Sequence, residues 1–355
     1  MLWAGGRAYL AAHPWAGWGV GEYMAFGADV LSSAGQEMVM FFFVLSGFFI
    51  RHAQLRRPRP AGQFYLNRVA RIYPPYLVSL LLSFGVLAYL MHQHPALMGA
   101  ASGRELAPVL RAAWADLRPF SPPEWSRVLA FLPLQRGFFS YNPVYWSLLP
   151  EALFYLSVPL AFRSVRLYFL VSVGLYAGGV TAALAGWELG RLLTYALTYN
   201  AFFALGVGLY DLVVKQPAWL AFFRRLHGRS KLAAVVILGA TALALVQTAA
   251  LQIRSVSYPL AALLAVLSVS VLLAGWVPRR NPLIRVLHEL GIFSFSLYLY
   301  HYPLLLLCLA GLAHFVPAPV VYERYYWLAV PLVTAGSYLL YLGTERLAVR
   351  FLRGI

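Results

Sequence analysis

Two histidines, one glutamate and a pair of arginines stand out in this 355-residue chain as side chains whose type and setting suit chemistry. Ser147, Glu151 and Tyr155 fall at i, i+4 and i+8 in the run from Trp146 to Tyr155, which puts them on one face of a helix. A carboxylate there either pairs with an arginine to hold two helices together, or touches substrate or orients a catalytic imidazole. Ser294, Tyr298 and His301 fall at i, i+4 and i+7 ahead of Pro303 and mark a second polar face. That histidine is either a hydrogen-bonded packing residue or a contact to a substrate or group donor. Arg68 and Arg71 lie one turn apart, just before a span that Pro74 and Pro75 open. They anchor the helix at the interface, or grip the phosphates of a nucleotide-bearing donor, which the fork geometry of guanidinium suits. His13, followed by Pro14, is either a helix end or a base able to take a proton from a hydroxyl.

The elements that must position these groups are transmembrane helices. Apolar residues make up 61% of the chain and charged residues only 11%, a balance that would leave a soluble domain covered in apolar patches. A hydrocarbon core about 30 Å thick needs roughly 20 apolar residues per helix. Such runs predict an all-α bundle of about ten spans at 1–20, 34–51, 73–91, 144–162, 166–186, 190–211, 232–250, 256–277, 290–311 and 326–344, the first truncated at its start. One domain covers 1–355, and the long connection 92–143 is expected to carry interfacial helices. Ala11-Ala12 imitates a signal-peptide cleavage site, but Gly5, Gly6 and Arg7 interrupt the apolar stretch before it. Cys308 is the single cysteine, so neither an intrachain disulfide nor a cysteine-based metal site is expected.

The net charge of +16 does not point to nucleic acid, because the basic residues are scattered through short loops instead of covering one face. The loops at 51–71, 163–166, 215–231, 279–285 and 346–353 hold 19 of them, against 8 in the alternate set. Positive residues accumulate on the cytoplasmic side, so the first set and the C-terminus are expected there, with 92–143 facing outward.

Four segments in order resemble the membrane acyltransferase-3 family, the O-antigen and exopolysaccharide O-acetylase type. Phe42-Phe43-Val44-Leu45-Ser46-Gly47-Phe48 is similar to its second-helix signature, and Arg68-x-x-Arg71-Ile72-x-Pro74 to its third-helix entry. Trp146-Ser147-Leu148-x-x-Glu151-x-x-Phe154-Tyr155 resembles its Trp-Ser-Leu-x-x-Glu segment, and Ser296 to Pro303, with Tyr298, Leu299 and His301, its late Tyr-Leu-x-His-x-Pro pattern. The resemblance implies an integral protein of the bacterial inner membrane that takes an acyl group, acetyl above all, from cytoplasmic acyl-CoA to a hydroxyl of a cell-envelope glycan or glycolipid. Acyl-CoA is then a co-substrate, with no tightly bound cofactor; no metal is expected either, since no cluster of His and carboxylates has ligand spacing.

The resemblance further implies that His13 is the general base, with an arginine eleven positions earlier, about 16 Å away along one helix face. That position is Leu2 here. Either the start of the first helix is missing and an in-frame upstream extension carries the arginine, or the chain is a divergent and inactive member. Met40 stands where the family often carries Asp, and Leu347 where it often shows Pro. Donor phosphates would lie near Arg68 and Arg71, and the thioester among the polar faces of Ser46 and His301. Glu151 would orient His13 or a sugar hydroxyl, with Trp146, Ser147, Tyr155 and Tyr298 lining the binding region. A multi-span transporter or flippase is the competing reading, since intramembrane Glu and His also relay protons. A non-catalytic membrane partner is the third.

Overall fold

The computed structural model describes residues 17–20, 23, 26–27, 30–31, 33–93, 117, 119–134, 141–187, 190–278, 281–313, 315 and 329–353. The expected first span, and His13 with it, lies outside them. Among the described residues the elements are helical, with no strand. They are α1 (Gly35–Arg56), α2 (Ala61–Gln93), α3 (Pro122–Leu129), a 3-10 turn (Pro143–Ser147), α4 (Leu148–Ala161), α5 (Val165–Leu184) and α6 (Arg191–Lys215). Then follow α7 (Pro217–Arg225), α8 (Gly228–Ala250), α9 (Arg254–Leu273), α10 (Pro282–Ile292), α11 (Ser294–Ala313), α12 (Ala329–Gly343) and α13 (Glu345–Arg353).

Among the described residues, seven helical stretches are long and apolar enough to cross a membrane, and α10 and α11 reach that length and apolarity only when taken together, as a bent pair. Two expectations need correction. The run at 290–311 is not one straight helix: it breaks at Phe293, and the parts are bent by 76°. Ser294 Oγ donates to the Gly291 carbonyl at 3.0 Å, a local bond that competes with helix continuation beside a flexible glycine. The helix that carries Arg68 and Arg71 also does not begin at the prolines. It runs unbroken from Ala61, so Pro74 and Pro75 lie inside it. The long connection does carry a short helix, α3, which Ser121 and Glu124 cap reciprocally at its start.

The helices divide between two units, one formed by Gly27–Ala61 with Pro150–Asn281, the other including Gly62–Leu149 and Pro282–Ile355. In the first, α6 packs on α1 and α5, and α9 packs on α1 and α8. Glycine sets the α1–α6 distance. A Cβ on Gly47 would overlap the Phe203 carbonyl, and a Cβ on Gly206 would overlap the Val44 carbonyl. Small residues allow backbones this close, which in lipid replaces the missing hydrophobic drive with dispersion contact. Phe43 and Phe154 stack on opposite sides of Phe203, each with ring centroids 4.3 Å apart. In α5 and α8 only 11% of the most apolar stretch is buried, so the surface they present is one for lipid. In the second unit, α11 packs on α12 and on the 3-10 turn, and α12 continues into α13.

The glycine crossing predicts that Gly47→Ala and Gly206→Ala each destabilise the protein by about 1–3 kcal/mol, the usual cost of overpacking. Gly239→Ala in α8, where an added Cβ meets nothing within 4 Å, is expected to be neutral or stabilising by up to about 1 kcal/mol. Thermal unfolding of the detergent-solubilised variants measures the contrast.

Candidate functional site

Pro303 organises the polar interior of the second unit. It lies inside α11 and has no N–H, so the carbonyl four residues earlier, that of Leu299, loses its helical partner. Two side chains from elsewhere take it up. Ser79 Oγ donates to the Leu299 carbonyl at 2.8 Å, and Asn142 Nδ2 donates to it at 3.0 Å. Ser79 Oγ also shares a hydrogen bond with Tyr145 Oη at 2.8 Å, and Asn142 Oδ1 caps the 3-10 turn by accepting from the Val144 N–H at 3.2 Å. Ser79, Asn142 and Tyr145 are all buried, so a proline in one helix fixes α2 and the 3-10 turn against α11.

The 3-10 turn carries the Trp-Ser part of the sequence motif. Pro143 opens it with a preset φ, and Trp146 sits half-buried within it. Ser147 Oγ donates to Tyr298 Oη at 2.9 Å, and Tyr298 Oη donates onward to the Val144 carbonyl at 2.7 Å. Two predicted site residues, 151 positions apart, therefore meet directly. One turn along α11, His301 Nδ1 lies 2.7 Å from the Tyr298 carbonyl. A carbonyl can only accept, so Nδ1 carries the proton, and Nε2 of the neutral ring is left as the lone-pair nitrogen. Ser294, which the helical spacing placed on the same face, is exposed and turned to Gly291.

The arginine pair divides its contacts. The Arg68 guanidinium lies 5.4 Å from the centre of the Phe64 ring, while Arg71 Nε donates to Glu345 Oε1 at 3.2 Å. Ser296 Oγ donates to Glu345 Oε2 at 2.8 Å. Glu345 begins α13 and is buried, whereas the Arg71 side chain is 45% exposed. Burial pushes the Glu345 carboxyl above its usual range, and Arg71 and Ser296 pull it only partly back. A partner half in water is screened and cannot fully offset the lost hydration of a buried carboxylate.

In the first unit, Tyr155 Oη donates to Glu151 Oε1, the i, i+4 pair that the sequence spacing places together. Both residues are buried. Ser46 is buried on α1, beside the glycine at the close crossing. Sequence reasoning passed over three further charged groups here. Glu37 Oε1 accepts from Ser257 Oγ at 2.8 Å, and Arg51 grips both carboxylate oxygens of Asp211 at 3.0 and 3.3 Å while lying 5.0 Å from the centre of the Phe162 ring. Each lies in an apolar run, so treating every intramembrane charge as a candidate would have found them. Glu345 was legible only as part of Thr344-Glu345-Arg346, and Asn142 only as a polar residue before Pro143.

Helices of this length and apolarity, with charged and hydroxyl groups bonded inside each unit, define an integral membrane protein with a built polar interior. The chain belongs to the acyltransferase-3 family, whose acyltransferase domain matches residues 7–342. Among curated proteins it is 30% identical over 153 residues to Acyltransferase MdmB of Streptomyces mycarofaciens. That match covers 43% of this chain and 35% of the relative, so the chain matches about a third of that protein's length. No solved structure matches the chain.

Two outcomes are expected from these contacts. Ser147→Ala and Tyr298→Phe each destabilise by about 1–3 kcal/mol, and together they cost less than their sum by on the order of 1 kcal/mol, because they share one bond; a double-mutant cycle in detergent measures this. Because the Glu345 carboxyl is raised in the folded state, its contribution is fully present below the unfolded value of about 4.3 and is lost as pH rises through the folded value. Wild-type melting temperature should therefore fall relative to Glu345→Gln as pH rises above about 4.3.

Proposed function

We propose that this acyltransferase moves an acyl group, acetyl in the first instance, from cytoplasmic acyl-CoA to a hydroxyl of a cell-envelope glycan or glycolipid. The observation that carries the reading is the family match over residues 7–342, which takes in His13 and all four motif segments. The proposed setting is the bacterial inner membrane with the C-terminus in the cytoplasm, which the distribution of Lys and Arg supports. The transporter reading has no comparable observation in its favour.

In the proposed reaction, the acceptor oxygen attacks the thioester carbonyl carbon while His13 takes the hydroxyl proton. The tetrahedral intermediate collapses, the C–S bond breaks, and the CoA thiolate leaves and recovers that proton. An ester and free CoA are the products. His301 offers Nε2 toward the donor, supported by the bond that fixes its Nδ1. Ser147 and Tyr298 line the same part of the unit, and Arg68 and Arg71 serve the donor phosphates, with Glu345 bonded to Arg71 Nε. Glu151, oriented by Tyr155, holds an acceptor hydroxyl.

His13→Ala is expected to reduce acceptor-dependent release of CoA from acetyl-CoA by about 10² to 10⁴, the usual contribution of a positioned base. The assay uses isolated membranes with matched protein levels. Undiminished transfer by that variant would remove His13 from the reaction.

A further inference from the structure

The last described helix, α13, presents three different faces. At about 100° per residue, Arg346 and Arg350 share one side, Leu347 and Phe351 the next, and Glu345 a third. The third face is pinned: Glu345 is held inside by Ser296 and Arg71. That anchor sets the rotation of the helix, so the apolar pair cannot turn inward. Leu347 is 57% exposed and Phe351 72% exposed. Neither Arg346 nor Arg350 makes a hydrogen bond or ion pair with a described residue, in contrast to Arg71.

An open groove runs along this helix, lined by Ala70 of α2 together with Leu347, Ala348, Arg350 and Phe351. Its wall is almost wholly apolar, with one cation at the edge. On α2, Leu66 lies one turn before Ala70 on the same face and is also largely exposed, which extends the apolar wall along the helix. We infer that the groove binds an anionic phospholipid, with the headgroup phosphate on Arg350 and Arg346 and one acyl chain along Leu347 and Phe351 against Ala70. An amphipathic helix with arginines on one side and Leu and Phe on another is the form that lies in the headgroup boundary, and basic residues there favour anionic lipid. Acyl-CoA carries phosphates and an acyl chain as well. Its nucleotide and pantetheine are polar over most of their length, however, and would leave this wall uncovered.

The test uses the purified full chain in neutral detergent, with bound lipid counted by native mass spectrometry across a titration of phosphatidylglycerol or phosphatidylcholine. Wild type should take up one phosphatidylglycerol saturably, in preference to phosphatidylcholine. Each basic residue near the headgroups contributes roughly a fivefold preference, so the Arg346→Gln, Arg350→Gln double variant should bind phosphatidylglycerol about 30-fold more weakly. Phe351→Ser should weaken both lipids alike. Equal binding by wild type and the double variant would overturn the site, and so would displacement of phosphatidylglycerol by free CoA, which would assign the groove to the donor. His13→Ala should bind lipid as wild type does, so this result stands apart from the outcome of the transfer assay.

Discussion

A carbonyl at lipid depth has no water to bond, and one that a proline has freed must be satisfied by the protein itself. Leu299 is in that position because Pro303 follows it by four residues, and Ser79 and Asn142 answer it from different parts of the chain. The cost of leaving such a group unpaired is several kcal/mol in hydrocarbon, well above the worth of any single van der Waals contact there. It therefore decides which segments come together. The 3-10 turn, α2 and α11 converge on one oxygen, and the motif residues follow from that convergence.

Once those elements are fixed, the chemistry of their side chains narrows. Tyr298 is committed as donor to Val144, which makes it the acceptor for Ser147. His301 is committed through Nδ1, which decides which nitrogen stays available. The break at Phe293 lets α11 begin afresh just before these residues, and Ser294 is used up at the break, not on the polar face. A broken helix in a membrane is tolerated where local side chains satisfy the freed backbone, and here Ser294 does part of that.

The close crossing of α1 and α6 gives the Phe-Phe-Val-Leu-Ser-Gly-Phe signature a packing role. Gly47 faces the Phe203 carbonyl, Gly206 faces the Val44 carbonyl, and Phe43 stacks on Phe203. A recurring motif can thus report a backbone approach as readily as a reaction. Ser46 sits beside the crossing, where a small side chain is compatible with both demands.

From its residues alone, the chain declared its solvent, its helical class, most span positions and the i, i+4 pairing of Glu151 with Tyr155, because apolar run length and helical periodicity are local properties. Motif order was equally legible, and it pointed to the acyltransferase family that the match over residues 7–342 shows. Only tertiary structure could decide which distant groups meet: Ser147 with Tyr298, Arg71 with Glu345, Arg51 with Asp211, and Ser79 and Asn142 with the Leu299 carbonyl. Those pairings depend on which helix faces which, and no spacing within one helix encodes that. The bend at Phe293 and the start of α2 at Ala61 were hidden for a related reason: hydropathy is continuous across the bend, and helical backbone bonds continue through α2 past prolines that read as a boundary.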